Sequence, residues 1–297
     1  MSACTYLSAF GGIVALFFAF DPKAIPGLWH GRIFAILVNH LVWKRNQSSI
    51  PASPPSDGPP ILFRPLRARS YCSLAEVDFN MHKSNSTFYA DLDVSRIELL
   101  LVLFKDVITP LSPPKRKWKG LQTTGDHKGT EKEARVQTLK HLTPALGGVS
   151  CVFRREIKPW QRYEVETRVL CWDDKWLYIV SHFLKPGSNG TKTTEDRILA
   201  SAVSKYVFKA GRRTVEPREV LRFLQLLDDD AVADADSNAD GANLGANTNI
   251  DTDSLGIYHD QRGPWSKAQV ERERKRGLAL AAHVAGLDGL HRVACLL

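Results

Sequence analysis

The chain has 297 residues, of which 43% are hydrophobic and 24% charged, so it can form one large globular domain or two small ones with an ordinary core. Its formal net charge of +8 would suit nucleic acid. However, no zinc-finger spacing, RNA-binding aromatic signature or recognition-helix pattern accompanies the basic residues, so we expect no nucleic-acid partner. The five cysteines form no C-x-x-C pair, which predicts reduced thiols rather than disulfides or a zinc site.

An apolar stretch opens the chain. Residues 3–20 carry no charge, and a helix of this length just spans a bilayer, so residues 1–45 are predicted to form a transmembrane or interfacial anchor. A second apolar run, residues 24–43, lies in the interface or completes a hairpin. A cleaved signal peptide is the alternative, but no Lys or Arg precedes the apolar run. Lys44 and Arg45 follow it and favour a cytosolic position for the folded part.

Three N-x-S/T sequons, at Asn46, Asn85 and Asn189, argue instead for a luminal chain. A glycan on Asn85 would block the turn described next, so chance occurrence is the preferred explanation. Residues 46–63 are rich in Pro and Ser and predict a semi-rigid linker between the anchor and the folded domain.

Polar residues gather between a predicted strand and a predicted helix. Residues 71–77 alternate in polarity and predict a strand that ends at Asp78. Asn85 or Ser86 can cap the helix that follows, because a side-chain oxygen there can accept from the free amides of the first turn. This helix becomes almost wholly apolar before it stops at Pro110, so it must be buried on all sides.

A long connection follows the helix, over residues 109–139, and carries a basic cluster that includes Lys115 and Arg116 beside Trp118. A run of charge is usually a solvated surface. Contact with anionic lipid or with the phosphates of a cofactor is the alternative. The length of the connection also suggests a functional flap.

The pattern then changes to strands. They are predicted over residues 149–157, 162–172, 175–184 and 198–209. Apolar and polar residues alternate as in an antiparallel sheet with one wet face, and Asp173 with Asp174 predicts a tight hairpin. Together with the earlier strand this predicts an α+β fold over residues 64–227, in which a curved antiparallel sheet of about five strands wraps around the central helix.

The remaining sequence predicts two helices and a linker. Residues 217–227 read as a short amphipathic helix, and the acidic low-complexity residues 228–262 as a solvated, disordered linker. Residues 236–241 resemble the start of a calcium loop, but Asn247 stands where that loop needs Glu, so the linker is preferred. Residues 263–297 predict a C-terminal helix that docks on the core or on another subunit.

The candidate catalytic residues lie in the turn between the predicted strand and the predicted central helix. The sequence has no G-x-S-x-G elbow, P-loop, G-x-G-x-x-G or H-E-x-x-H motif, and neither a metal nor a cofactor is expected. The polar constellation at the strand-to-helix junction comprises Asp78, Asn80, His82 and Asn85. Free amides at a buried helix start suit a carbonyl oxygen that becomes negative during acyl transfer, and a nearby carboxylate can activate water or attack directly. In the structural alternative, Asp78 and Asn80 cap the turn and His82 satisfies a backbone group.

Residues 78–89, DFNMHKSNSTFY, resemble the D-x-N-G-H-x-N-N-x-x-Y turn and central helix of hotdog-fold acyl-CoA thioesterases of the 4-hydroxybenzoyl-CoA thioesterase-like type. Residues 159–167, PWQRYEVET, and 169–179, VLCWDDKWLYI, are similar to the sheet of the thioesterase superfamily member six-like branch, which is membrane-associated. The resemblance spans about residues 64–212. It implies a hotdog fold, a CoA-type thioester substrate, and a homodimer or homotetramer with active sites at the subunit interface.

By position, the resemblance gives Asp78 the role of catalytic base or nucleophile, and Asn85 the position of the helix-start amide on the thioester carbonyl. Asn80 and His82 match polar turn positions that hold this geometry. Substrate contacts are assigned to four residues: Phe88, Tyr89, Lys115 and Arg116.

Two positions depart from the family pattern. Met81 stands where Gly is usual, and Ser84 replaces the first Asn of the pair. Retention of Asp78 favours a thioester hydrolase that acts on acyl-CoA or on a carrier-bound acyl group. We expect this hydrolase to be membrane-associated, at the endoplasmic reticulum, with its catalytic domain facing the cytosol. A catalytically silent acyl or lipid binder is the alternative. A hotdog hydratase is disfavoured, because it needs a D-x-N-P-x-H pattern with His five places after Asp.

Overall fold

The structure is a computed structural model and describes residues 3–44, 59–108, 139, 141–187, 195–227 and 265–285. The helices are α1 (Ala3–Phe20), α2 (Leu28–Val38), α3 (Thr87–Ile108), α4 (Pro217–Phe223) and α5 (Lys267–Ala285). The strands are β1 (Leu66–Tyr71), β2 (Thr143–Phe153), β3 (Arg162–Trp172), β4 (Leu177–Leu184), β5 (Ile198–Ala210) and β6 (Arg213–Val215).

The strands form one antiparallel sheet in the order β1-β3-β4-β5-β2, with the short β6 paired to the end of β5. The predicted meander of β3, β4 and β5 is confirmed, and its first turn is tight because the amide of Asp173 donates to the carbonyl of Trp176 at 3.0 Å. Helix α3 packs on one face of this sheet, which is the hotdog arrangement that the resemblance implied. The sheet has six strands rather than about five.

Helix α3 and the sheet enclose the core. Near its end, Leu99 and Phe104 of α3 pack with Val169 and Leu177, and near its start Phe88 packs with Phe183. The prediction of a buried central helix is confirmed. The thiols of Cys72 and Cys171 are buried and unpaired, as predicted for reduced core cysteines.

The first strand lies earlier than predicted. Strand β1 ends at Tyr71, and residues 72–77 do not continue it. The Ser73 hydroxyl accepts from the amide of Ala75, while the Glu76 carboxylate accepts from the amide of Ser73. This capping box turns the chain into a short 3-10 helix, since local side-chain bonds replace the ladder bonds of a strand.

The other strand boundaries differ less. Strand β3 has its predicted bounds, whereas β2 begins at Thr143 and ends at Phe153 instead of covering residues 149–157. It ends there because the amides of Arg154 and Arg155 both turn to the carbonyl of Leu199, at 2.9 and 3.0 Å.

Helix α5 docks on the sheet face opposite α3. Ala281 packs with Leu170 and Val180, and Arg274 donates to the carbonyl of Trp172 at 3.1 Å. A Cβ on Gly277 would lie 2.6 Å from the carbonyl oxygen of Leu170, so this contact requires glycine. Of the two predicted docking partners, the core of the same chain is the one observed.

The N-terminal helices α1 and α2 expose much of their apolar surface. Large apolar side chains of α1 are between 40% and 77% exposed: Tyr6, Leu7, Phe10, Ile13, Leu16, Phe17 and Phe20. Among the described residues, no helix has the combined length and apolar character needed to cross a membrane. The loop between α1 and α2, in contrast, is inserted against the sheet and contains the fully buried Asp21.

Several predicted features lie outside the described residues. They are the greater part of the Pro/Ser-rich linker, the basic cluster with Lys115 and Arg116, the acidic segment with its calcium-loop-like residues, and the last twelve residues of the chain.

Candidate active site

Backbone hydrogen bonds close the turn of residues 78–82. Val77 and Lys83 form an isolated antiparallel bridge at its base. The amide of Asp78 donates to the carbonyl of His82 at 2.9 Å, and the amide of Met81 donates to the carbonyl of Asp78 at 3.0 Å. The loop therefore brings its first and last side chains together.

The Asp78 carboxylate is accessible and has one oxygen to spare. Its Oδ1 accepts from the amide of Asn80 at 2.9 Å and lies 3.5 Å from Nδ1 of His82. Within the part of the chain that the structure describes, Oδ2 accepts no hydrogen bond. The side chains of Asp78 and His82 are 22% and 26% exposed. Oδ1 thus has the turn-capping role that the sequence allowed, while Oδ2 remains able to accept a proton.

Met81 has a backbone conformation that favours glycine. Its φ is 62°, and its side chain is 68% exposed, so little packing offsets the strain. The resemblance places Gly at this position. Met81 therefore bears a conformational cost that glycine would not incur.

Helix α3 begins at Thr87, so Ser86, one of the two predicted caps, is the residue directly before it. Ser84 closes the helix start: its carbonyl accepts from the Thr87 amide at 3.0 Å and from the Thr87 hydroxyl at 2.7 Å. Asn85 and Ser86 are exposed. Among the described residues, neither of their backbone amides donates a hydrogen bond. The helix start therefore presents two amides beside the turn, where the macrodipole is positive.

Two of the predicted substrate-binding residues, Phe88 and Tyr89, differ in their exposure. Phe88 is only 2% exposed and makes edge-to-face contacts with Phe153 and Phe183, with ring centroids 5.0 and 4.8 Å apart. Tyr89 is 38% exposed on the first turn of α3. Phe88 is thus a core residue beneath the turn, whereas Tyr89 is accessible at the surface.

A buried ion cluster lies under the turn. Lys83 is fully buried, and its Nζ lies 3.0 Å from Glu76 and 3.1 Å from Asp91. Lys23, from the loop between α1 and α2, contacts the same two carboxylates at 2.9 and 3.2 Å. The hydroxyl of Tyr163 donates to Asp91. Both turn flanks are therefore tied to α3 and to the N-terminal loop.

Opposing effects act on the pKa of Asp91. Burial raises this pKa, but Lys83 and Lys23, with the Tyr163 hydroxyl and Arg32, outweigh burial and lower it to about 2. Burial, with the charge of Asp91, raises the pKa of Tyr163. Asp91 stays ionised and Tyr163 stays a donor at ordinary pH, so the cluster is electrostatically fixed.

Sequence reasoning missed this cluster, although one signal was present. Asp91 shares a helix face with Phe88, Leu92 and Ser95, all buried. A carboxylate on an apolar face needs buried cations. One of them, Lys83, stands inside the recognised motif.

A surface cavity of about 730 Å³ lies between the N-terminal helices and the β1 edge. Its walls include Phe20, Arg32, Arg69, Tyr71 and Trp160. Among the described residues, none of the turn lines it, so the cavity is separate from the Asp78 carboxylate.

Comparison with known proteins gives the class. The model of the Thioesterase-like superfamily matches residues 72–222, which include the turn, α3 and the sheet from β2 to β6. The chain belongs to the Thioesterase-like superfamily and is a hydrolase of that class.

Similarity to individual proteins extends beyond this region. The chain is 38% identical to the probable thioesterase atnL of Emericella nidulans over 286 residues, covering 92% of this chain and 84% of that protein. It is 33% identical to thioesterase poxG of Penicillium oxalicum over 284 residues, with coverages of 91% and 81%. It is 31% identical to thioesterase lcsJ of Purpureocillium lilacinum over 303 residues, with coverages of 95% and 92%. Each of these matches covers more than nine-tenths of the chain, whereas the family match covers residues 72–222.

Proposed function

We propose that the protein hydrolyses an acyl thioester, with Asp78 as the general base. The observation that supports this most strongly is the accessible Asp78 carboxylate, with Oδ2 open to a proton, beside a helix start with two amides that donate to no described group. A base and a pair of oxyanion donors are the two requirements of thioester hydrolysis.

In the proposed reaction, Asp78 takes a proton from water while the water oxygen attacks the thioester carbonyl carbon. The carbonyl oxygen becomes negative and accepts from the amides of Asn85 and Ser86. Collapse of the tetrahedral intermediate breaks the C–S bond, and the thiolate leaves with the proton from Asp78. The products are a carboxylic acid and a thiol, so the reaction needs no cofactor. In an alternative mechanism, the Asp78 carboxylate attacks the thioester carbonyl carbon directly.

The proposed substrate is an acyl-CoA or a carrier-bound acyl thioester. We propose that Tyr89, which is 38% exposed at the helix start, contacts the substrate. Substrate contacts by Lys115 and Arg116 remain a proposal from the sequence. Support comes from relatives that are named as thioesterases and that align with this chain over most of their own length.

We further propose a homodimer that pairs through β2. This eleven-residue strand pairs with β5 on one side only within the described sheet, and it exposes Val152 at 63% and Phe153 at 37%. Phe153 also contacts Phe88 at the start of α3. A second copy on this edge would therefore lie next to the helix start. Because α5 covers the outer sheet face, a dimer is favoured over a tetramer formed through that face.

For location, we propose that α1 rests in the interface of the endoplasmic reticulum membrane with the folded part on the cytosolic side. The exposed apolar surface of α1 supports interfacial contact, and Lys44 and Arg45, which follow α2 in the sequence, support the orientation.

A thioester panel tests the proposed function against the silent-binder alternative. The full-length protein is incubated with CoA thioesters from acetyl to palmitoyl and with aryl thioesters, and released thiol is measured. We expect catalytic thiol release from at least one member. Saturable binding across the panel with no thiol release would support the silent binder instead.

A further inference from the structure

The loop between α1 and α2 is inserted into the support of the turn. The fully buried Asp21 accepts from the Ser73 hydroxyl at 2.7 Å and from the Leu74 amide at 2.8 Å through Oδ2, and from the Tyr71 hydroxyl at 3.0 Å through Oδ1. These bonds fix the 3-10 helix that leads from β1 to the turn. A residue outside the superfamily match thus holds one flank of the site.

Lys23, two residues later, reaches further inward. Its Nζ lies 3.0 Å from the Tyr71 carbonyl, 2.9 Å from Glu76, 3.2 Å from Asp91 and 3.1 Å from the Tyr163 hydroxyl. Its side chain is 10% exposed. One ammonium group therefore joins β1, β3, α3 and the residue two places before Asp78.

The connection from Lys23 to the turn is short. Glu76 is shared by Lys23 and Lys83, at 2.9 and 3.0 Å. The carbonyl of Glu76 accepts from the amide of Ser84 at 2.8 Å, and Val77 bridges to Lys83. Contacts between Glu76, Val77, Lys83 and Ser84 thus hold together the two ends of the turn of residues 78–82.

We infer that Lys23 is a positioning residue for Asp78. This inference rests on the proposed function for its kinetic consequence, but its structural part does not. Without the ammonium group, Lys83 is, among the described residues, the one cation that the two carboxylates share, and Asp91 keeps Arg32, whose Nη1 lies 3.2 Å away. Glu76 and Asp91 then repel each other more strongly, because a positive charge between them is lost. The base of the turn then loosens and Asp78 leaves its position relative to the helix-start amides. Displacement of about 1 Å costs roughly 100-fold in rate.

The experiment compares full-length Lys23→Met with Arg67→Met as the matched control. The control substitution removes an ion pair between the paired strands β1 and β3, in which Nε of Arg67 lies 2.7 Å from Oε2 of Glu166. Two readouts are taken at a temperature where both variants are folded: kcat with KM on a thioester, and amide hydrogen exchange of residues 78–84.

For Lys23→Met we expect kcat to fall about 100-fold with a smaller change in KM. We also expect faster exchange at the amides of Asp78, Met81 and Ser84, and the control should change neither readout. Unchanged exchange in folded Lys23→Met, whatever its kcat, would overturn the inference. If wild type shows no hydrolysis, the proposed function fails, and exchange still decides the positioning role.

If Lys23→Met does not fold, Lys23→Gln carries the test with the same readouts. It keeps a polar side chain but removes the positive charge that lies between Glu76 and Asp91. Faster exchange over residues 78–84 is again expected, and wild-type exchange rates would overturn the inference.

Discussion

The carboxylate of Asp78 lies 3.5 Å from Nδ1 of His82, and both side chains remain about one-quarter exposed. Their spacing of four residues suggests a helix, but here a five-residue turn creates it. The pair therefore lies before the start of α3 and is not part of that helix. An imidazole beside the proposed base can hydrogen-bond to it, while Oδ2 is left for water.

Replacing Met81 with Gly should release strain in the turn. A left-handed conformation costs an L-residue about 1–2 kcal/mol, and glycine does not incur this cost. Met81→Ala is the matched control, because it also removes the exposed side chain but keeps the strain. We expect Met81→Gly to be more stable than Met81→Ala by about 1 kcal/mol in denaturant unfolding. A less stable glycine variant would show that φ is not the determining factor.

Replacing Gly277 with Ala should disturb the docking of α5. The added Cβ would lie 2.6 Å from the Leu170 carbonyl oxygen and 2.8 Å from Cys171 Cβ, so helix and strand must separate. We expect a loss of about 1–3 kcal/mol in the free energy of unfolding, as for other overpacked contacts. Gly31→Ala in α2 meets no atom within 4 Å and should be neutral or stabilising, because Ala favours helix. Equal effects of the two changes would contradict the docking of α5.

His182 should make stability sensitive to acid. Burial, with the charge of Arg168, lowers its pKa from 6.5 to about 4. The neutral ring bonds Ser201 at 2.9 Å, and the carboxylate of Glu166, opposite in register, is paired with Arg67. Between pH 6.5 and 4 the unfolded chain binds a proton that the folded chain does not, so stability falls as pH falls.

Allowing for partial exposure, this sensitivity amounts to about 2 kcal/mol. His182→Gln should flatten the pH dependence of the free energy of unfolding over this window, measured by denaturant titration at several pH values. The exposed His283→Gln is the control for loss of an imidazole. An unchanged slope in His182→Gln would rule out this residue as the source.

The sequence predicted what depends on local pattern and missed what depends on long-range charge. Strand β3 and the buried helix α3 follow from alternation and from continuous apolar residues. The first strand was misplaced because Ser73 and Glu76 can bond locally, and an alternating pattern does not reveal that competition. The resemblance placed Asp78 and His82 together, as observed. It did not reveal Lys23, whose contacts with β1, β3 and α3 only the folded chain brings together.

The N-terminal residues illustrate the same limit. From apolarity alone, residues 1–45 are predicted to form an anchor separate from the domain. Asp21 and Lys23 are polar exceptions within that region, and the structure places both in the support of the turn. A charged residue between two apolar runs is therefore informative, since its burial needs partners elsewhere in the chain.

The most direct test of the account is the rate of thioester hydrolysis by Asp78→Asn. Asparagine can still accept from the Asn80 amide, so the turn is retained while the base is lost. Asp196→Asn, at an exposed carboxylate paired with Arg155, is the matched control. On the best thioester of the panel we predict that kcat of Asp78→Asn falls about 10²- to 10⁴-fold and that the control retains wild-type kcat. A folded Asp78→Asn variant with a kcat within about twofold of wild type would contradict the assignment of Asp78 as the base.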